Sequence, residues 1–235
     1  MFATIIFFDS ALELIPEELR KHRLIRYEWK KSVKRKKRGI LLDGAIHRPL
    51  VESLEDAEKR GRPDIIHHAL MNICFSPLFK QNKVKIIIHT RNNSCIRIPY
   101  EWRVPVNYNR FCGLFSQLLF NRKVPLSGSS PILVVEHCSL TQILQMLDSD
   151  IFLCEVPNKI LKGSLNIASL PEISDHSSMA FLIGGFQHGE TNKISLIPDE
   201  LKKRITYLPL YKEVIPAWVV AAKIINWLEE RDRQI

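Results

Sequence analysis

The stretch Ile183-Gly184-Gly185-Phe186-Gln187-His188-Gly189 concentrates more chemical potential than any other short segment of this chain. Glycine lacks a Cβ, so a loop built this way lets the backbone come close to a ligand and adopt φ values that other residues resist, Gly184 being the first such position. The stretch follows an apolar run of strand type, and open α/β sheets place their ligand loops at the carboxyl ends of strands. Its spacing, G-G-x-x-x-G late in the chain, is not the G-x-G-x-x-G that opens the first helix of a dinucleotide fold. No G-x-x-x-x-G-K-[ST] occurs, so a P-loop is excluded as well. Alone, a glycine loop also marks an ordinary tight turn.

The second chemical feature is charge. Residues 20–38 hold eleven Lys or Arg against one acid, Glu28, and the rest of the chain is close to neutral, so this segment carries the entire net charge of +9. Such a run is either a solvated basic face or mobile arm, or a surface for a polyphosphate. Tyr27 and Trp29 within it favour RNA, because aromatic rings stack on unpaired bases. Five scattered cysteines without a C-x-x-C pair, and eight histidines without tight ligand spacing, point to reduced thiols and no metal site.

These residues need elements to hold them. Residues 3–8 read as a strand, and Ser10 is placed to cap a helix carrying Leu12 and Leu14 up to Pro16. Helices are expected over 49–60 and 63–75, each with proline in its first turn and Gly61 between them. Residues 84–90 and 95–99, joined by Arg91-Asn92-Asn93-Ser94, read as a two-stranded ribbon. Phe111, Leu114, Phe115, Leu118 and Leu119 share one face of a helix over 108–120. Strand-type runs at 132–135, 151–156, 179–183 and 205–208 alternate with helical stretches, the pattern of βαβ units, and an apolar helix over 216–231 closes the chain. No repeat, linker, membrane span or secretory signal is evident, which gives one α/β domain over 1–235 in the cytoplasm.

Four ordered stretches are more specific. Arg62-Pro63-Asp64-Ile65-Ile66-His67 is followed by Ser76-Pro77-Leu78; Arg103-Val104-Pro105 leads through Tyr108 to Arg110-Phe111-Cys112-Gly113; the glycine loop comes next; and the stretch from Pro209 through Pro216-Ala217-Trp218 ends the series. Together they resemble the Essential for Mitotic Growth (Emg/Nep) family of ribosomal RNA pseudouridine N1-methyltransferases, in the SPOUT or alpha/beta-knot superfamily. The resemblance implies a mostly parallel sheet with a C-terminal trefoil knot, the 83–99 ribbon as a small extension, and a homodimer. It implies S-adenosyl-L-methionine as cofactor, enclosed by loops 183–189 and 209–218. Gly184, Gly185, Gly189, Leu210, Tyr211, Lys212, Glu213, Val214 and Ile215 are the residues expected to hold it. Arg62, Arg103 and Arg110 are expected on a pseudouridine-containing loop of small-subunit ribosomal RNA, since guanidinium groups bind phosphate and stack on bases.

The sequence departs from the family at Val106, where a further RNA-contacting arginine usually stands, and at Lys212 and Val214, which replace prolines. Asp64 is the acid within the arginine motif and the candidate for taking or orienting the proton of the attacking nitrogen. Pairing with Arg62 or with the helix start is its other reading. Trp218 is expected in the core rather than on the ligand. Two other functions compete: an RNA-binding ribosome-assembly factor without catalysis, which needs no cofactor loop, and a dehydrogenase, for which the glycine spacing is wrong.

Overall fold

The computed structural model describes residues 3–31, 39–125, 132–154, 178–188, 192–210 and 213–233. In chain order its elements are β1 (Ala3–Ser10), α1 (Arg23–Lys31), α2 (Gly44–Val51), α3 (Pro63–Cys74), α4 (Pro77–Lys80), β2 (Val84–Thr90), β3 (Ser94–Ile98) and α5 (Tyr108–Asn121). There follow β4 (Lys123–Val124), β5 (Leu133–His137), α6 (Leu140–Gln145), β6 (Asp150–Leu153), β7 (Met179–Gly184), α7 (Asn192–Ser195), α8 (Asp199–Lys202), β8 (Ile205–Tyr207) and α9 (Ala217–Asp232).

The strands form one eight-stranded sheet of order β4-β5-β3-β2-β1-β7-β6-β8. From β2 to β8 every pairing is parallel, and β3, β5 and β4 extend the sheet antiparallel at the other side. Side chains of a strand alternate between faces, and both faces are covered. Ile5, Phe7, Ile86, Ile88, Phe181 and Ile183 pack with α3, α5 and α9 on one side. Ile6, Phe8, Ile87, Leu153, Ala180 and Leu182 pack with the Leu140, Ile143, Ile194 and Leu201 helices on the other. This is why β1 runs apolar without alternation from Ile5 to Phe8: a central parallel strand meets helices on both faces. Fully burying one such Phe or Ile stabilises the fold by roughly 1.5 to 3 kcal/mol.

Helix starts follow the sequence closely. Pro63 occupies the first turn of α3; Ser76 accepts from Phe79 N at 3.2 Å to cap α4; Asn107 accepts from Arg110 N at 3.1 Å to cap α5. The expected helix over 108–120 is α5, and the closing apolar helix is α9, with Val220, Ala221, Ile224, Ile225 and Leu228 buried.

Four expectations change. No helix follows Ser10: its hydroxyl donates to Phe7 O at 3.1 Å instead of capping, and residues 13–15 lie extended against 40–42 through Leu42 N to Glu13 O and Ile15 N to Ile40 O. Buried Leu12 and Ile15 favour that pairing over a helix. The helix expected over 49–60 is instead α2, which begins earlier because Asp43 accepts from Ala45 N, and ends at Val51; beyond it Asp56 turns left-handed at φ 52°. The 84–90 and 95–99 hairpin is real, but its strands are members of the main sheet rather than an added ribbon. The basic segment is not simply an arm: α1 is docked through Ile25, fully buried against Ile15, Leu42, Leu50 and Val51. Its residues 32–38 lie outside the described residues. So do 155–177, between β6 and β7.

Candidate functional site

Three parallel strands end side by side. Leu153 of β6 is in register with Leu182 of β7 and with Tyr207 of β8, and the hydrogen bonds continue past the strand ends through Cys154 N to Leu182 O and Leu208 N to Leu153 O. The glycine loop leaves this edge from β7, and the stretch leading to α9 leaves it from β8. Cys154, Leu210, Ile215 and Trp218 are half-buried apolar groups against the core there. Burial pushes the Cys154 thiol well above its ordinary range, so it lines the edge as a neutral group. Glu213 and Val214 are exposed. Gly189, Tyr211 and Lys212 lie outside the described residues.

The glycine loop is fastened across β1. Gly185 N donates to Phe8 O and Gly185 O accepts from Ala11 N, each at 2.8 Å. A Cβ on Gly185 would lie 2.3 Å from Ser10 Oγ and 2.7 Å from Ser10 Cα, so backbone contact demands glycine there. Gly184 differs from expectation. It ends strand β7 and has no left-handed φ, and a Cβ on it would meet only the Phe186 ring, at 3.0 Å.

Arg62 joins this loop to the first motif. Its Nε and Nη2 donate to the two Asp64 oxygens at 2.8 and 2.7 Å, and its Nη1 donates to Gln187 Oε1. The Asp64 hydrogen bond raises the Arg62 guanidinium further above its ordinary value. The turn behind it is rigid: Gly61 has φ 65° and its carbonyl accepts from Gly44 N, while neighbouring Arg60 grips buried Glu13 at 2.8 and 2.6 Å. A cleft of about 350 Å³ opens beside Arg62, lined also by Gly44, Arg48, Gln187 and His188.

The arginines of the third motif sit on a loop docked to α3. His67 Nε2 lies 2.8 Å from Pro105 O and must donate to it, a carbonyl being only an acceptor. Tyr108 donates to Asp43 Oδ2 at 2.7 Å, and burial, then that bond, raises its hydroxyl far above the ordinary range. Asp43 is buried, also caps α2, and sits beside buried His47, whose Nδ1 accepts from Asp43 N. Asp43, His47 and Tyr108 are therefore part of the site's frame, to which sequence reasoning gave no role; the signal available was that Asp43-Gly44-Ala45-Ile46-His47 loosely resembles a motif of the family and that Tyr108 lies in the Arg103 to Gly113 stretch. Arg103 and Arg110 are exposed, and among the described residues neither guanidinium has a partner. Val106, between them, is 66% exposed. At the far end of α3, Asn72 Nδ2 donates to Trp218 O at 3.0 Å and the His68 and Trp218 rings lie 5.5 Å apart. Trp218 thus packs against α3.

A second polar group underlies the loop where β1 and β2 end. Asp9 is buried, left-handed at φ 49°, and its Oδ1 has no partner among the described residues. Burial raises its pKa, with Lys193 and Arg91 opposing. His89 accepts at Nδ1 from Asp9 N and meets Asn93 Oδ1 through Nε2; burial, then Lys193, lowers its pKa to about 4. Among the described residues no group of three or more His, Cys, Asp or Glu is placed to hold a metal ion, and no helix is long and apolar enough to cross a membrane.

Comparison with known proteins bears on the same residues. The family described as EMG1/NEP1 methyltransferase matches residues 5–229. The ribosomal RNA small subunit methyltransferase Nep1 of Thermococcus sibiricus is 36% identical over 221 residues, covering 94% of each chain. Its namesake in Pyrobaculum islandicum is 38% identical over 191 residues, covering 80% of this chain and 82% of its own. The crystal structure of Archaeoglobus fulgidus Nep1 bound to S-adenosylhomocysteine superposes with a TM-score of 0.74 at 28% identity, covering 98% of both chains.

Two predictions follow from the loop's setting. Gly185→Ala should disrupt the loop and lower the melting temperature by several degrees, because Ser10 backbone cannot yield, whereas Gly184→Ala should be nearly neutral once the Phe186 ring turns. Equal melting temperatures for the two variants would contradict this. The second concerns acid. Neutral His89 is favoured in the fold, so its contribution is complete above pH 6.5 and is lost as pH falls from 6.5 towards about 4, on the order of 3 kcal/mol in all. Asp9, raised by burial, acts in the opposite sense at low pH. His89→Gln keeps both hydrogen bonds and Asp9, so urea titrations across this window should show a shallower acid loss than wild type.

Proposed function

The chain belongs to the EMG1/NEP1 methyltransferase family, and from that premise we propose that it transfers a methyl group from S-adenosyl-L-methionine to N1 of a pseudouridine in small-subunit ribosomal RNA. The observation that carries this reading is Arg62, which hydrogen-bonds the acid of the first motif and the glycine loop at once. It sets an RNA-binding guanidinium against a cofactor loop. A non-catalytic assembly factor has no need of that junction. The solved relative with S-adenosylhomocysteine and the relatives' names support the cofactor and the substrate class.

The residues present fit the cofactor. The glycine loop, anchored to β1 by both backbone groups of Gly185, presents Gly184 and the residues after it beside an apolar floor of Leu210, Ile215 and Cys154, and backbone against apolar side chains is the mixture that encloses an adenosyl group. Gly189, Tyr211, Lys212, Glu213 and Val214 belong to the same two loops. When bound, the sulfonium supplies an electrophilic methyl, and the chain's own task is alignment and proton removal. Arg62, Arg103 and Arg110 hold the RNA. Asp64 orients Arg62, and being only 28% accessible yet not closed off, it keeps lone pairs that can accept the N1 proton. We assign the chain a homodimeric, knotted, cytoplasmic form on the family resemblance.

The RNA face is tested by salt dependence. Arg62→Ala, Arg103→Ala and Arg110→Ala should each lower affinity for the target stem-loop and flatten the slope of log K against log salt by roughly 0.7 to 0.9. Val106→Arg should steepen it by a similar amount, since Val106 is exposed between two exposed arginines. Anisotropy titrations that leave all four slopes at the wild-type value would move the RNA face elsewhere.

The reaction is tested by the nucleoside. In uridine N1 carries the glycosidic bond and has no proton to lose, whereas pseudouridine, joined through carbon, exposes it as N–H. A paired base in A-form RNA sits in a groove side chains cannot read, so the target belongs in a loop with its base turned out. Labelled methyl should pass to a pseudouridine hairpin and not to its uridine twin, and digestion should yield N1-methylpseudouridine. Equal labelling of both hairpins would refute the assignment.

A further inference from the structure

Gln187 is exposed on the glycine loop, yet both ends of its amide are engaged. A guanidinium offers only donors, so the amide oxygen must face Arg62 Nη1 and the amide nitrogen then donates to His188 Nε2, 3.1 Å away. The preceding residue is held by the same short segment: Lys59 Nζ lies 5.3 Å above the Phe186 ring. Residues 59–62 therefore grip the loop twice, at two consecutive side chains. Arg62 meanwhile has five N–H groups. Two are taken by Asp64 and one by Gln187, which leaves two, one on each terminal nitrogen, to face a phosphate.

We infer that Gln187 is a positioning residue that couples cofactor occupancy to RNA affinity. The inference rests on the functional reading above and deepens it. Gly185 is already tied to Phe8 and Ala11, so a ligand seated on the loop acts on the residues beyond that anchor and fixes the Gln187 oxygen there. With that acceptor fixed, the guanidinium is held at three of its N–H groups before RNA arrives, and less side-chain freedom is lost on binding. Without it, Asp64 alone holds one edge of the group. Coupling between two binding equilibria is reciprocal, so RNA must raise cofactor affinity by the same factor.

The experiment measures the dissociation constant of a synthetic pseudouridine hairpin with and without saturating S-adenosylhomocysteine, for wild type, Gln187→Ala and Gln187→Glu. In wild type the loaded enzyme should bind RNA about fivefold or more tightly, and calorimetry of S-adenosylhomocysteine with and without the hairpin should return the same factor. Gln187→Ala should bring that ratio close to one while still binding S-adenosylhomocysteine alone. Gln187→Glu keeps an acceptor for Arg62, so it should restore the ratio while weakening RNA binding in both states through its added charge. A ratio unchanged in Gln187→Ala, or a ratio near one in wild type, would overturn the coupling. Failure of wild type to bind S-adenosylhomocysteine or the hairpin at all would overturn the functional reading first, and the coupling with it.

Discussion

A guanidinium can satisfy several acceptors in one plane, and Arg62 uses that capacity to join two segments 125 residues apart in sequence. Its fork on Asp64 is a bidentate, charge-assisted contact, stronger than a neutral hydrogen bond and fixed in orientation. Everything around it serves to hold that orientation. The left-handed Gly61 turn, the buried Glu13 and Arg60 pair and the Gly44 to Gly61 hydrogen bond fix the chain just before it. Pro63 starts α3 immediately after, and α3 then packs along α9 and supports the 103–110 loop through His67. The same helix therefore reaches the glycine loop at its start, the second arginine loop in its middle and the closing stretch at its end.

The sheet supplies the other half of the geometry. Parallel strands buried on both faces place their carboxyl ends on one edge, and the loops of β7 and β8 leave that edge around β6. Such an edge collects backbone groups without partners, which is why open α/β sheets bind ligands there. Gly185 closes against Ser10 at the boundary between this edge and the end of β1, so the loop is anchored at that residue. Beneath it lie buried Asp9 and His89, polar groups inside an apolar layer whose pKa values burial displaces in opposite directions, each toward its neutral form.

Much of this was legible in the residues. Uninterrupted apolar runs marked the parallel strands, and the five-residue apolar face marked α5, because period and burial are written directly in side-chain type. The first turn of α3 was marked by Pro63. The misreadings have a common cause: at Ser10 and across 49–60, local cap and periodicity signals were overruled by tertiary partners, namely residues 40–42 and the Asp43 cap. Periodicity could place the 84–98 hairpin but not its neighbours in the sheet. Residue type and order singled out the motif arginines as candidates, but the contact between Arg62 and Gln187 was not legible, since nothing local to either residue specifies a partner so distant. Gly184 illustrates the same limit, because the close approach that requires glycine falls one residue later.

The central claim, that the cofactor lies at the carboxyl edge of β7, β6 and β8 beneath the glycine loop, is tested most directly by amide hydrogen exchange with and without S-adenosylhomocysteine. The account predicts slowed exchange in peptides spanning 180–188 and 208–218, with strands β4 and β5 unchanged. Protection confined to the ends of β1 and β2, or no protection anywhere on saturation, would contradict it.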